Sequence, residues 1–283
     1  MGLNGTGNGS PIGNGNGQAA GANLAYTKFL YVIPRDDDDA AGTRMRAVGE
    51  VVARGFSNDF DTEGSGAAQV FETVQFLVRD GDPEPPAEGA AFEGPCLSRA
   101  RYVVQVCSKY RPRLEELAED LRRRLGDAFE VGAIDGAVRQ QRYSSLEMQQ
   151  HLQRTAPSRR SGRVARNAII VPIRKTAAWW AMDPLERNTY FYPHVDPSAG
   201  CPVRGHAGAA SAALPHLHRR IYYNPDGYGR AGEFDFITYF ECEDPGLPAF
   251  DEALAQLRDP ASNPEWRFVE EGAVWKGKRV LRW

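Results

Sequence analysis

Four of the five histidines in this chain, His194, His206, His216 and His218, fall in one short stretch, with Cys201 among them. A neutral imidazole offers a lone pair to a metal ion, so such a cluster is the first place to look for chemistry. Directly after it comes Arg219-Arg220, and upstream lie a basic pair, Arg174-Lys175, and a tryptophan pair, Trp179-Trp180. A guanidinium stays charged and presents a rigid fork of donors suited to a small anion. Adjacent arginines on a strand point to opposite faces, so one of the two can enter a pocket while the other is a surface cation. The cluster does not read as a zinc site. Its spacings fit no standard finger, and His216 and His218 would share one face of a strand. Taken alone, His206 in its Gly/Ala-rich segment reads as an ordinary surface histidine, and the tryptophans read as core packing.

The order of these pieces carries more than each piece. A basic pair precedes two tryptophans, a histidine stands thirteen residues before an arginine (His206 and Arg219), and Arg219 opens the run Arg220-Ile221-Tyr222, with Leu214-Pro215 shortly before it. The run DFITYFE, 235–241, then follows after a short turn. This combination resembles the chlorite dismutase family of b-type haem proteins. The resemblance covers roughly the last 120 residues (166–283) and is mainly architectural before them.

The resemblance implies a ferric haem b enzyme that converts chlorite to chloride and dioxygen. It implies His206 as the proximal iron ligand. His194, fourteen residues after Trp180, remains a competitor, because the segment VDPSAGCPVRG between the two histidines departs from the family pattern. Haem iron needs a neutral nitrogen on one side and an open face on the other. A carboxylate should hold the other ring nitrogen of the ligand; Glu265, in NPEWRFVE, occupies the family's place for it, with Glu241 as the alternative. Arg219 is implied as the distal catalytic residue that holds a small oxyanion above the iron. Related coproheme decarboxylases lack this arginine, which favours the chlorite-type reading. Trp179 and Trp180 are implied as walls for the porphyrin, an indole N–H being able to reach a propionate. Lys175 and Arg174 would counter propionate charge, and Tyr222 and Tyr223 lie close enough in sequence to line the pocket. Segments 81–95, 194–205 and 227–232 are insertions relative to the family. They keep open an oxidase or peroxidase acting on an organic metabolite, and a haem-binding or sensing protein without turnover is the reading from another class. The family also implies a homo-oligomer, and exposed sheet edges would point the same way.

The whole-chain numbers set the bounds. The chain has 283 residues, 42% hydrophobic and 25% charged, with a formal charge of −3, so it is globular and has no basic face for nucleic acid. No apolar run approaches the roughly 18 residues that would cross a bilayer. Cys96, Cys107, Cys201 and Cys242 lack CxxC spacing and read as reduced thiols of a cytoplasmic protein. Residues 1–24 are Gly- and Asn-rich and read as a disordered tail. Their start fits the loose myristoylation pattern, a cheap match in such a composition. The acidic run at 36–39 reads as a solvated loop, since the alternation of a calcium loop is missing.

The elements that must position the chemistry follow from periodicity. Strands are expected at 28–34, 69–80, 101–110 and 128–134, with helices marked by Met45, Val48 and Val52 and by Leu114, Leu117, Leu121 and Leu125. That order, β-α-β-β-α-β, is ferredoxin-like. A basic connector, 151–165, separates this unit (25–150) from a second (166–283) with strands at 168–173, 217–223 and 234–240, a helix capped by Asp183, another through Phe250 to Leu257, and a last strand at 266–269. The expectation is an α+β protein of tandem ferredoxin-like units packed as an α+β barrel, with the two sheets packing together and, as the resemblance implies, haem in the second unit.

Overall fold

The computed structural model describes residues 26–36, 39–54, 73–81, 97–138, 165–230 and 233–281. The tail at 1–24, residues 82–95 of the Pro/Gly insertion, Cys96 and residues 151–164 of the basic connector lie outside them. The first half runs β1 (Tyr26–Pro34), α1 (Asp39–Ala53), β2 (Thr73–Arg79), β3 (Tyr102–Ser108), α2 (Arg111–Leu125) and β4 (Phe129–Ala137). The second half runs β5 (Asn167–Lys175), three short helices, α3 (Ala177–Ala181), α4 (Pro184–Thr189) and α5 (Gly205–Ala210), then β8 (His218–Tyr223), β9 (Phe236–Cys242), α6 (Leu247–Arg258), β10 (Val269–Glu271) and β11 (Trp275–Leu281). A small hairpin, β6 (His194–Val195) with β7 (Pro202–Val203), sits between α4 and α5.

Within the first half the strands lie in the order β2-β3-β1-β4, and within the second in the order β8-β9-β5-β11. Both are the ferredoxin-like arrangement, so the second half repeats the first. The two sheets join edge to edge, and this is how the tandem units expected from the sequence pack as one α+β barrel. β11 pairs with β2 on one side, and β4 meets β8 at Ala137↔Tyr223 on the other. Because β5 also pairs with β9, the nine-stranded sheet closes into an antiparallel barrel. Closure removes the open edges on which the sequence argument for self-association leaned.

The last expected strand is also misplaced. Residues 264–268 form a 3-10 turn, and the strand that completes the barrel is β11, whose pattern is masked by three cations. Its inward residues are Trp275 and Arg279; its outward Lys276 and Lys278 pair with Asp251 at 2.6 Å and Asp80 at 2.8 Å. Period-two alternation sends the two sides of every strand to different cores. Phe29, Tyr31, Leu77, Val103, Ile170, Ile237, Tyr239 and Trp275 fill the barrel. Leu30, Val32, Val104 and Val106 face α1 and α2, where Met45, Val52, Leu114, Leu117 and Leu121 complete a second cluster. Each such fully buried side chain is worth about 1.5–3 kcal/mol relative to exposure.

Gly277 stands where β11 bridges the halves, opposite Arg79 on one side and Ala168 on the other. A Cβ there would collide with the Trp275 indole and the Val78 carbonyl oxygen. We expect Gly277→Ala to lower stability by about 1–3 kcal/mol, the range for overpacking. A urea melt unchanged from wild type would show that the seam yields freely.

Candidate active site

The outer face of β5, β9 and β8 is where the second half departs from the first. Instead of two long helices packed directly on the sheet, it carries the short Gly/Ala-rich α5 and the single long α6. Between them and the sheet lies an apolar cavity. Its walls are Val171 and Ile173 of β5, Thr238 and Phe240 of β9, Ile221 of β8, and Leu254 and Leu257 of α6, with small Ala207, Ala210 and Ala213 leaving the space.

His206 opens onto this cavity from α5. Its placement is set locally. Gly205 adopts φ +67°, and a Cβ on it would run into the backbone carbonyls of Tyr192 and Tyr190. The next two N–H groups, of His206 and Ala207, donate to Tyr190 and Phe191 carbonyls, each at 3.0 Å. Behind the ring, His206 Nδ1 lies 2.7 Å from Glu265 Oε2. Glu265 Oε1 accepts from Lys175 Nζ at 2.5 Å, and that ammonium sits 4.3 Å over the Trp179 ring. Burial alone would push the Glu265 carboxyl up, but the charge of Lys175 and the bond from His206 outweigh it and hold it near about 2. Burial draws Lys175 below its ordinary value while Glu265 pulls it back. We place the proton on Lys175, since a neutral amine would leave a buried carboxylate without its cation. An ionised Glu265 keeps the hydrogen on Nδ1 and leaves the Nε2 lone pair as the donor.

On the sheet wall, Arg219 and Ile221 both face the cavity, as alternate residues of β8 must. Arg219 pairs in register with Phe240, and Ile221 with Thr238, so a guanidinium and a hydroxyl share one otherwise apolar wall. Thr238 was not singled out from sequence, although the alternation of FITYF, with Phe236, Thr238 and Phe240 on one face, carried the signal. Trp266 and Phe191 also line the site; the Phe191 ring packs 5.5 Å from that of His206.

Several expected site residues stand elsewhere. Lys175 reaches the cavity wall, but its charge is engaged by Glu265, so it serves the imidazole side and not a propionate. Arg174 is paired with Glu270. Trp179 packs against Tyr190, Phe191 and Phe268 behind that ion pair. Trp180 is outside the cavity lining, and its Nε1–H donates to Asp235 Oδ2 at 3.0 Å. Two walls for a flat cofactor were expected from these indoles; the aliphatic residues of β5, β9 and α6 supply them instead. His194, the competing ligand, does not line the cavity; its Nδ1 bonds the Tyr192 carbonyl at 2.8 Å and its ring packs on Tyr190. Glu241 points into the barrel, where it accepts from the Tyr239 hydroxyl at 2.6 Å and pairs with Arg279 at 2.7 Å. Tyr222 is a barrel residue too. The 194–205 insertion forms the β6–β7 hairpin and braces the segment carrying Glu265, through Asp196 with Arg267 at 2.8 Å. It therefore shapes the imidazole side and not the arginine side.

The donor set fits haem. A flat apolar macrocycle matches the aliphatic walls, and one imidazole with its second nitrogen tied to a buried carboxylate matches a single axial ligand. Among the described residues no group of three or more His, Cys, Asp or Glu converges to hold a metal ion, so the zinc alternative is not assembled. No helix of the described residues is long and apolar enough to cross a membrane. If iron is held by His206, Glu265→Gln removes the anionic partner while keeping shape. We expect it to lower haem affinity by about 10- to 100-fold, as loss of such partners does at metal sites. Titration of the apoprotein followed in the Soret region checks this, and an unchanged affinity would separate Glu265 from the ligand.

No protein-family profile matches the sequence. Among solved structures, an arginine variant of the chlorite dismutase of Candidatus Nitrospira defluvii is 19% identical and covers 91% of this chain and 92% of its own, with a TM-score of 0.62. The same enzyme in complex with imidazole gives 19% identity, 91% of each chain and a TM-score of 0.62. A protein provisionally assigned as a chlorite dismutase is 12% identical over 92% of this chain and 96% of its own, with a TM-score of 0.57. At this identity the likeness shows the fold alone: the chain has the chlorite dismutase fold.

Proposed function

We propose that the chain is a haem b oxidoreductase that converts chlorite to chloride and dioxygen. The observation that carries the reading is the pairing of two sides of one apolar cavity: His206, tied through Nδ1 to the buried carboxylate of Glu265, and Arg219 on the facing sheet wall. Haem iron, when bound, supplies the redox chemistry of oxygen transfer. The chain's own residues do the rest. His206 donates through Nε2, and Glu265 with Lys175 keeps that donation strong. The aliphatic walls exclude water, which strengthens the attraction between Arg219 and an anion. Arg219 draws chlorite in and keeps the displaced oxyanion inside until the two oxygen atoms join. Chlorite carries both oxygen atoms of the product, so no further reductant or oxidant enters the balance.

The test is an absorbance spectrum of the haem-loaded protein followed by chlorite addition at an oxygen electrode. A Soret band with one dioxygen released per chlorite supports the reading. A Soret band without oxygen, but with peroxide-driven turnover of organic donors, moves the assignment to an oxidase or peroxidase. Neither activity leaves haem binding or sensing. We further propose a homo-oligomer, now on the likeness to the chlorite dismutases alone, since the closed barrel offers no open edge.

A further inference from the structure

The part of the β8–β9 loop around Tyr228 lies outside the cavity lining and the core clusters, whereas Phe234 of the same loop joins the barrel core. Its Tyr228 lies flat on Trp180, with ring centroids 4.8 Å apart and an interplanar angle of 12°. One buried carboxylate locks both partners: Asp235 accepts from Trp180 Nε1 at 3.0 Å and from the Gly229 N–H at 2.5 Å. Tyr228 is 38% exposed, unusual for so closely stacked a ring. Inward from it, Tyr223 lies 6.1 Å away in a T-shaped contact, and Phe236 a further 6.2 Å. Phe236 lines the cavity. A continuous file of rings therefore runs from the cavity wall to solvent, ending on a phenol.

We propose that Tyr228 is a surface oxidation site, electronically connected to the cavity through Tyr223 and Phe236, for phenols and aromatic amines too large to enter. The inference rests on the haem reading. Electron tunnelling weakens steeply with distance, so rings in contact carry an electron where one long jump would not. Phe236 and Tyr223 are bridge rings, and Tyr223 is buried. Tyr228 can shed its proton to solvent when it loses an electron, which an exposed phenol requires for stable oxidation. The Arg187 guanidinium, 5.6 Å over the Trp180 ring, disfavours positive charge on that indole and leaves the phenol as the resting place of the unpaired electron. With hydrogen peroxide as oxidant the balance is simple. The peroxide O–O bond breaks and takes up two electrons and two protons, giving two waters. Each electron comes from Tyr228, whose O–H hydrogen is restored by one donor molecule, so two donors become two radicals per peroxide.

The experiment uses the haem-loaded protein mixed with peroxide and a nitroso spin trap, followed by peptide mass spectrometry, alongside turnover of ABTS as a bulky donor. We expect the adduct on Tyr228 in wild type and its loss in Tyr228→Phe, with ABTS turnover falling by about tenfold, a change equivalent to 1.36 kcal/mol in barrier. Tyr223→Leu, which breaks the file without touching the surface, should also lose the adduct. The Soret band and the peroxide-induced spectral change should stay as in wild type in Tyr228→Phe. An adduct confined to other residues, or ABTS turnover unaffected by Tyr228→Phe, overturns the proposal while leaving the haem reading intact. Absence of a Soret band in the wild type removes both.

Discussion

His206→Ala is expected to abolish haem retention through gel filtration, the largest single effect among the substitutions considered. The substitution removes the one imidazole that, among the described residues, opens onto the cavity, and leaves Glu265 with Lys175 as its remaining partner. His194→Ala, by contrast, removes a ring already bonded to the Tyr192 carbonyl. Haem affinity should then change by about twofold or less, the equivalent of the roughly 0.5 kcal/mol typical of substitutions away from a site. Retention is read from the ratio of Soret to protein absorbance after the column. Haem loss in His194→Ala with retention in His206→Ala would reverse the assignment, and would mean that the β6–β7 hairpin swings into the cavity when haem binds. Exogenous imidazole adds an independent check, because it should restore a histidine-like spectrum to His206→Ala by filling the space the side chain vacated.

Arg219→Ala is expected to lower chlorite turnover by about 10²- to 10³-fold, the usual cost of removing a preorganised donor to a developing oxyanion. The fate of the anion is more telling than the rate. The sheet wall at Arg219 is apolar apart from the Thr238 hydroxyl, and the other cation among the described lining residues, Lys175, is engaged by Glu265. The variant should release hypochlorite, reported by a chlorination trap, and should bleach its haem sooner than wild type. Arg219→Lys keeps the charge but loses the planar fork, and should fall between the two. Full oxygen yield with no trapped hypochlorite in Arg219→Ala would remove the arginine from the proposed mechanism. If the wild type makes little oxygen and the substitution instead changes oxidation of organic donors, the arginine serves to orient a carboxylate or polarise peroxide.

Much of this was legible in the chain. Alternation in the strands and the leucine spacing of α2 follow from local geometry, and each half carried its own β-α-β-β-α-β order. Asp183 was readable as a helix cap, and its carboxylate accepts from the Leu185 N–H at 2.8 Å. The thirteen-residue step from His206 to Arg219 and the place of Glu265 came from the family resemblance, not from local geometry; the structure puts all three residues on the lining of one cavity. The strand expected just after Glu265 is β10, and Glu265 itself lies in a 3-10 turn.

What the sequence could not decide was which face each residue meets. Trp179 and Trp180 are adjacent and chemically alike, yet one packs behind an ion pair and the other stacks on a loop tyrosine. Lys175 looked like a propionate partner because a lone cation has no address in one dimension; burial beside Glu265 gave it a different task. Closure of the barrel depends on β11 meeting β2, a pairing between residues about two hundred positions apart. No local propensity records it, and the cations of β11 disguise it, because their counter-charges lie on other strands and helices. The position of the cavity is decided in the same way. In the first half, Met45 and Val52 of the fifteen-residue α1, the helix that follows the first strand, help fill the space over the sheet. At the corresponding place in the second half, alanines stand on a helix too short to reach across, and the space stays open. Composition named the small residues, but only their opposition to the sheet, fixed by packing, opened a cavity beside them.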